Sequence, residues 1–130
     1  MNSGRVLVVE DERIIALEIV ERLENLGFYD SIIVSSGEKA LLQARELEPV
    51  LIFMDIGLKG KIDGIETARR IRAEQQTPII YLTAYADENT IEKAKTISDP
   101  LIYLLKPFSE DELRFAIDAA LNNQAISETE

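Results

Sequence analysis

Five short apolar runs separated by amphipathic stretches constrain the fold of this chain more than any other feature. The runs are Val6 to Val9, Ile32 to Val34, Val50 to Met54, Ile79 to Leu82 and Leu101 to Leu105. Because they are short and rich in β-branched residues, they favour strands over buried helices. Runs that are apolar along their whole length need cover on both faces. The pattern predicts an α/β fold with a five-stranded parallel sheet, five helices and three layers.

The stretches between these runs repeat apolar residues at helical spacing. Two such faces are Ile15, Ile19, Leu23, Leu26 and Leu113, Ile117, Ala120, Leu121. We therefore expect helices on both sides of the sheet, joined to the strands by right-handed crossovers.

Capping signals predict where several helices begin and end. Residues 35–38 and 109–112 both read S-x-x-E, the pattern of a capping box, in which a hydroxyl and a carboxylate each accept a backbone N–H. Asp63 and Asp87 are predicted to cap two further helices. Gly27 is predicted to end the first helix in a left-handed conformation.

Length and composition indicate one folded domain. The chain has 130 residues, of which 46% are apolar, and we expect the domain to cover residues 1–122. Residues 123–130 are predicted to form a polar C-terminal tail.

The residue types that are missing exclude several classes of function. Zero cysteine and zero histidine exclude disulfides, thiolate or imidazole metal sites and a histidine base. A net charge of −10 argues against a nucleic-acid partner, because such binding depends on clustered Lys and Arg. No apolar run approaches the ~20 residues that cross a bilayer. We therefore expect a cytoplasmic protein with no membrane partner.

Chemistry-bearing residues follow four of the five predicted strands. Glu10 and Asp11 follow the first strand, Asp55 the third, Thr83 the fourth and Lys106 the fifth. In an open parallel sheet the carboxyl ends of the strands form the binding crevice. These five side chains should therefore converge.

Three of these residues are carboxylates that would repel one another by several kcal/mol at close range. Oxygen donors with no nitrogen or sulfur donor suit a hard cation, and Glu10, Asp11 and Asp55 therefore predict a Mg2+ site. A cation and Lys106 beside one carboxylate are arranged to stabilise a phosphoryl group. We expect Asp55 to supply the attacking oxygen and Thr83 to donate to a phosphoryl oxygen.

Five motifs, in order along residues 5–121, strongly resemble the response-regulator receiver domain. They are V-L-V-V-E-D-E at 6–12, F-M-D-I at 53–56, D-G-I-E at 63–66, Y-L-T-A at 81–84 and Y-L-L-K-P-F at 103–108. The resemblance implies a flavodoxin-like fold with strand order 2-1-3-4-5. It also implies that Asp55 is the phosphoacceptor of a two-component system.

The same resemblance implies a ligand set for the metal. Asp11, Asp55 and the Gly57 carbonyl would bind Mg2+, and Glu10 would act mainly through metal-bound water.

It further implies the parts of a switch. Thr83 and Lys106 match the phosphate-sensing hydroxyl and lysine, Tyr103 matches the rotating aromatic residue, and the Lys106–Pro107 bond would be cis. On phosphorylation Thr83 would move toward Asp55 and Tyr103 would turn inward. The face made by helix four, strand five and helix five would then change shape for a partner.

The chain departs from the commonest receiver pattern at two places. The loop at residues 57–62 is one residue longer and lacks the usual proline, and we assign its Lys59 and Lys61 to a solvated loop. Ser98, Asp99 and Pro100 replace the small residues that more often precede strand five.

We expect a stand-alone response regulator, a phosphoacceptor that catalyses its own phosphorylation and dephosphorylation and is otherwise not an enzyme. Its donor would be a sensor histidine kinase or a phosphotransfer protein. Homodimerisation through the face of helix four, strand five and helix five stays open. Alternatives are a phosphorylation-independent interaction module and an aspartate-nucleophile phosphatase. A flavin mononucleotide carrier is disfavoured because the acidic loop at 10–12 would repel phosphate.

Overall fold

The computed structural model describes the backbone of residues 4–129 and the side chains of residues 4–122. Its elements, in chain order, are β1 Val6–Val9, α1 Arg13–Asn25, β2 Ser31–Val34, α2 Gly37–Leu47, β3 Leu51–Asp55, α3 Gly64–Glu74, β4 Ile79–Thr83, α4 Glu88–Lys95, β5 Tyr103–Leu105 and α5 Glu110–Thr129. The predicted alternation of five strands and five helices is confirmed.

The five strands form one sheet in the order β2-β1-β3-β4-β5, and every neighbouring pair is parallel. This is the flavodoxin-like order that the resemblance implies. At the far end of the register Asp55 lies opposite Leu82, and Thr83 lies opposite Leu105. The carboxyl ends of β3, β4 and β5 therefore reach the same edge of the sheet.

Two apolar clusters cover the two faces of the sheet, which makes the three layers. The first packs β-strand side chains such as Val8 and Phe53 against α1 and α5. The second packs side chains such as Val9 and Met54 against α2, α3 and α4. Because side chains alternate along a strand, successive residues of one apolar run serve opposite clusters.

Three of the four predicted caps are confirmed. Ser109 and Glu112 form the reciprocal capping box, with N–H···O distances of 2.9 and 3.1 Å. Asp63 accepts from the Glu66 N–H, and Asp87 accepts from the Thr90 N–H.

The capping box at residues 35–38 is wrong by one residue. The N-cap of α2 is Ser36, whose Oγ accepts from the Lys39 N–H at 3.2 Å. Glu38 is then the second helical residue, so it is too early to return the bond.

Gly27, after the end of α1, has a φ of +98°, which is the left-handed conformation that its predicted role requires.

β5 is shorter than the apolar run that predicted it. Pairing with β4 begins at Tyr103, whereas the run begins at Leu101. Leu101 packs against the second cluster and Ile102 against the first. Their apolar character therefore reflects packing before the strand and not pairing within it.

The division of the chain at residue 122 stays a prediction. The backbone of α5 is helical to Thr129, but the predicted polar tail at 123–130 lies outside the residues whose side chains are described. Within the described part of the chain, no helix combines the length and the apolarity that crossing a membrane requires.

Candidate phosphoryl-transfer site

The side chains that the sequence predicted to converge do meet at the carboxyl edge of the sheet. Glu10 follows β1, Asp55 ends β3, Thr83 ends β4 and Lys106 follows β5. Backbone hydrogen bonds carry the parallel ladder beyond the strands, since Glu10 N–H donates to the Val34 carbonyl and Lys106 N–H donates to the Thr83 carbonyl. The sheet therefore fixes the backbone of each of these residues.

Lys106 lies between two buried carboxylates. Its Nζ is 2.7 Å from Glu10 Oε1 and 3.4 Å from Asp55 Oδ1. Glu10 and Asp55 are 1% and 4% exposed, so both charges are shielded from water and depend on partners within the protein.

Burial and mutual contact shift the pKa values of Glu10 and Lys106. Burial raises the pKa of Glu10 from 4.5 to about 7, against the lowering effect of hydrogen bonds from Lys106 and from the Glu12 N–H. Burial alone would lower the pKa of Lys106, but its hydrogen bond to Glu10 and the charges of Asp55 and Glu10 together raise it. The lysine therefore stays charged beside Asp55.

Asp11 joins these two carboxylates to make a trio that fits a metal ion. Glu10, Asp11 and Asp55 each offer a carboxylate oxygen within 4.8 Å of the others. The donor set is all oxygen, which suits Mg2+ better than a thiolate- or imidazole-seeking metal. The acidic cluster thus fits a Mg2+ site.

Backbone N–H groups hold the carboxylates in place. Gly57 N–H donates to Asp55 Oδ1 at 2.9 Å, and Glu12 N–H donates to Glu10 Oε2 at 3.1 Å. Lys59 N–H lies 3.4 Å from Asp11 Oδ2, across the mouth of the site. The loops after β1 and β3 therefore orient the acids before any ligand arrives.

The Thr83 hydroxyl is engaged within its own loop. Its Oγ1 donates to the Tyr85 carbonyl at 2.8 Å and accepts from the Tyr85 N–H at 3.1 Å. Tyr103, on the edge strand β5, is 39% exposed.

A cavity of about 510 Å3 opens above these groups. Its lining includes Asp11, Asp55, Gly57, Thr83 and Lys106, which sequence reasoning selected. It also includes Glu12, Ile56, Lys59, Ala84, Tyr85, Asp87 and Thr90.

The lining residues that were not predicted to belong to the site include Asp87, Thr90 and Lys59. Asp87 was predicted only as the cap of α4, and Thr90 was not singled out. The two side chains are hydrogen-bonded at this cap, and both residues line the cavity. Lys59 was assigned to a solvated loop. It is exposed, but it also lines the cavity, because it lies in the loop at residues 57–62, which follows Asp55.

The Lys106–Pro107 peptide bond is cis, as the resemblance implied. A second cis bond joins Asp99 to Pro100 and was not predicted. Ser98, just before it, is buried and its hydroxyl lies 2.8 Å from the Tyr81 hydroxyl.

Comparison with known proteins gives the same family over nearly the whole chain. The model of the response regulator receiver domain matches residues 6–118. The transcriptional regulatory protein PdtaR of Mycobacterium tuberculosis is 33% identical over 118 residues, which cover 91% of this chain and 57% of that protein. The DNA-binding response regulator MtrA of the same species is 35% identical over 90% of this chain and 50% of its own length.

Solved receiver domains share the fold in detail. The signal receiver domain of a modulated diguanylate cyclase from Desulfovibrio desulfuricans is 37% identical, with a TM-score of 0.87 over 97% of this chain and 99% of that one. The receiver domain of a sensor histidine kinase from Pseudomonas aeruginosa is 30% identical, with a TM-score of 0.81 over 93% and 99% of the two chains. That structure has a magnesium ion coordinated in its active-site cleft.

The chain spans between half and three-fifths of the length of the curated relatives named above. The similarity therefore concerns their receiver portions.

Proposed function

The chain belongs to the response regulator receiver domain family of two-component systems, and from this premise we propose that Asp55 accepts a phosphoryl group in a Mg2+-dependent reaction. The donor is the phosphohistidine of a sensor histidine kinase or of a phosphotransfer protein, which implies a cytoplasmic location. Because these 130 residues contain no histidine, the donor imidazole lies outside them.

The observation that carries this proposal is the cluster of one fixed cation and two further acids around Asp55. Lys106 Nζ is 3.4 Å from Asp55 Oδ1, and Glu10 and Asp11 each offer a carboxylate oxygen within 4.8 Å of one on Asp55. An isolated structural carboxylate needs neither a buried lysine nor two acidic neighbours. A carboxylate that attacks a phosphoryl group needs both positive charge and metal ligands.

The reaction forms one bond and breaks one bond. A carboxylate oxygen of Asp55 attacks phosphorus, and the bond from phosphorus to the donor imidazole nitrogen or acyl oxygen breaks. The leaving group keeps the bonding electrons and an imidazole takes up a proton, while Asp55 becomes an acyl phosphate. Hydrolysis of that acyl phosphate returns the carboxylate and releases inorganic phosphate.

Asp11, Asp55 and the Gly57 carbonyl would hold Mg2+, with Glu10 acting through water. When bound, the ion neutralises the acids and the negative charge that spreads over the phosphoryl oxygens. Lys106 contributes the fixed positive charge, and its bond to buried Glu10 keeps its ammonium at that position. Thr83 supplies the hydroxyl donor once it leaves the Tyr85 carbonyl.

The response to phosphorylation is a shift between two states of the α4, β5 and α5 face. A phosphoryl oxygen competes with the Tyr85 carbonyl for the Thr83 hydroxyl. Movement of Thr83 then lets Tyr103 turn inward, so a downstream protein partner binds the two states with different affinity. Tyr103 is exposed on the edge strand.

The proposal is tested by treating the protein with acetyl phosphate and Mg2+ and measuring the intact mass, with Asp55→Asn treated in parallel. We expect the wild type to gain one phosphoryl group, and to lose it with hydroxylamine. The Asn variant and EDTA-treated wild type should gain none. A Thr83→Ala control should still be phosphorylated, because its acceptor is intact.

The same experiment separates the alternatives. Continued turnover of a generic phosphomonoester would instead indicate an aspartate-nucleophile phosphatase. Absence of any adduct on the wild type would indicate a phosphorylation-independent interaction module and would refute the proposal.

A further inference from the structure

Lys59 combines two features that no other lysine of the described chain shares. It lines the 510 Å3 cavity beside Asp11 and Asp55, and its ammonium makes no ion pair within residues 4–122. Its backbone N–H faces Asp11 Oδ2 at 3.4 Å, which ties this part of the loop to the acidic trio. Lys59 therefore carries a free positive charge on a backbone that is anchored at the mouth of the cleft.

The other charges around the cavity explain why a free lysine there affects the approach of an anion. The residues that line it include four acids, Asp11, Glu12, Asp55 and Asp87, and two lysines. One of the lysines, Lys106, already contacts Glu10 and Asp55 through its ammonium. An anion that approaches the cleft thus meets excess negative charge, on a chain whose net charge is −10.

We propose that Lys59 is an electrostatic guide at the entrance of the cleft, which attracts anionic phosphoryl donors and opposes binding of the divalent cation. The inference rests on the proposed phosphoacceptor role of Asp55. Lys106 stabilises the phosphoryl group at the carboxylate, whereas Lys59 acts earlier, on the approach of the donor. The donors that benefit most are those with the largest negative charge, such as small acyl phosphates.

The proposal has a signature of two opposite effects. Removing a positive charge near the acidic trio should strengthen Mg2+ binding, because one source of repulsion is gone. The same change should slow phosphorylation by an anionic donor, because one source of attraction is gone. Loss of loop structure would weaken both, so the opposite signs distinguish guidance from a structural role.

Lys61 is the matched control in the same loop. It is exposed, carries the same charge and lies two residues further along, but it does not line the cavity. Both substitutions, Lys59→Gln and Lys61→Gln, change the net charge by one unit. Their difference therefore isolates position from overall charge.

The test measures Mg2+ affinity by titration calorimetry without donor, and the initial rate of phosphorylation by acetyl phosphate at saturating Mg2+. At low ionic strength we expect Lys59→Gln to bind Mg2+ about two- to threefold more tightly and to react about two- to fivefold more slowly, as one unpaired charge implies. The rate difference should disappear at high salt, where screening is strong. Lys59→Arg should behave as wild type, and Lys61→Gln should show the smaller change in both measurements.

Equal effects of Lys59→Gln and Lys61→Gln, changes of the same sign in both measurements, or a rate difference that persists at high salt would each overturn the assignment of Lys59. A wild-type protein that forms no adduct would instead refute the phosphoacceptor role of Asp55. The two failures are thus separate results.

Discussion

The centre of the sheet and its β5 edge differ in how completely their residues are buried. β1 and β3 have strand neighbours on both sides, and all nine of their residues are buried. β5 has three residues and one neighbour, and two of the three, Tyr103 and Leu105, are 39% and 49% exposed. The adjacent α4 buries only Ala94.

This difference matches the division of labour in the proposed function. Glu10 and Asp55 extend from β1 and β3, so the groups that must hold a metal and a phosphoryl group stand on the most constrained backbone. Tyr103 and α4 lie at the less buried edge, next to Thr83 at the end of β4, and moving an exposed side chain or a short helix there costs less burial. In the proposed function, phosphorylation at the centre of the sheet therefore changes the conformation of its edge.

The largest effect should come from crowding the centre at Gly64. A Cβ at this position would lie 2.1 Å from the Asp55 carbonyl oxygen and 2.8 Å from Ile56 Cα, both backbone atoms. We expect Gly64→Ala to lower the free energy of unfolding by about 3 kcal/mol, since α3 or the end of β3 must shift. Urea unfolding followed by circular dichroism measures the change, and Mg2+ titration should show weakened binding.

Gly57→Ala is the control for this prediction. A Cβ there meets only Asp55 Oδ1, at 3.5 Å, which is an ordinary contact. It should therefore cost much less stability than Gly64→Ala. Comparable losses for the two variants would show that the backbone contact at Gly64 does not constrain the centre.

The same contrast explains what could be predicted from the sequence. The central strands were recognisable because burial on both faces requires continuous apolar runs, and the site followed because parallel strands end together. At the edge, Leu101 and Ile102 are apolar for packing and not for pairing, so β5 was predicted too long. Lys59 and Ser98 carried no pattern of their own, since their roles depend on loops whose path only the structure shows.

An intermediate effect is expected from the buried acid Glu10. Because its folded pKa of about 7 lies above the unfolded value of 4.5, the folded protein binds an extra proton between these pH values. This contribution to stability is fully present below pH 4.5 and is lost as pH rises through about 7. In EDTA we expect about 2 kcal/mol of it to disappear between pH 5 and pH 7.

Glu10→Gln should remove that dependence, because glutamine does not titrate. Unfolding free energies of the two proteins at pH 5 and pH 7 give the comparison directly. Other acids with lowered pKa values, such as Glu74 and Asp87, contribute in the opposite direction, but they are common to both proteins and cancel. An unchanged pH profile in the variant would mean that Glu10 is ionised in the folded protein across this range.

The smallest effect on stability should come from a buried pair of hydroxyl groups that joins the segment after α4 to β4. Tyr81, on β4, and Ser98, after α4, are both buried, and their hydroxyl oxygens are 2.8 Å apart. Tyr81→Phe and Ser98→Ala should each lower the free energy of unfolding by about 1 kcal/mol, because each leaves one buried hydroxyl without its partner. The double variant should lose less than the sum, since it leaves neither hydroxyl without its partner.

Tyr85→Phe is the control, because the ring of Tyr85 is exposed, and it should change the free energy of unfolding by a few tenths of a kcal/mol or less. Strict additivity of the two buried substitutions would show that the pair does not act as a tie, and would leave α4 held to the sheet only by apolar contacts such as that of Ala94.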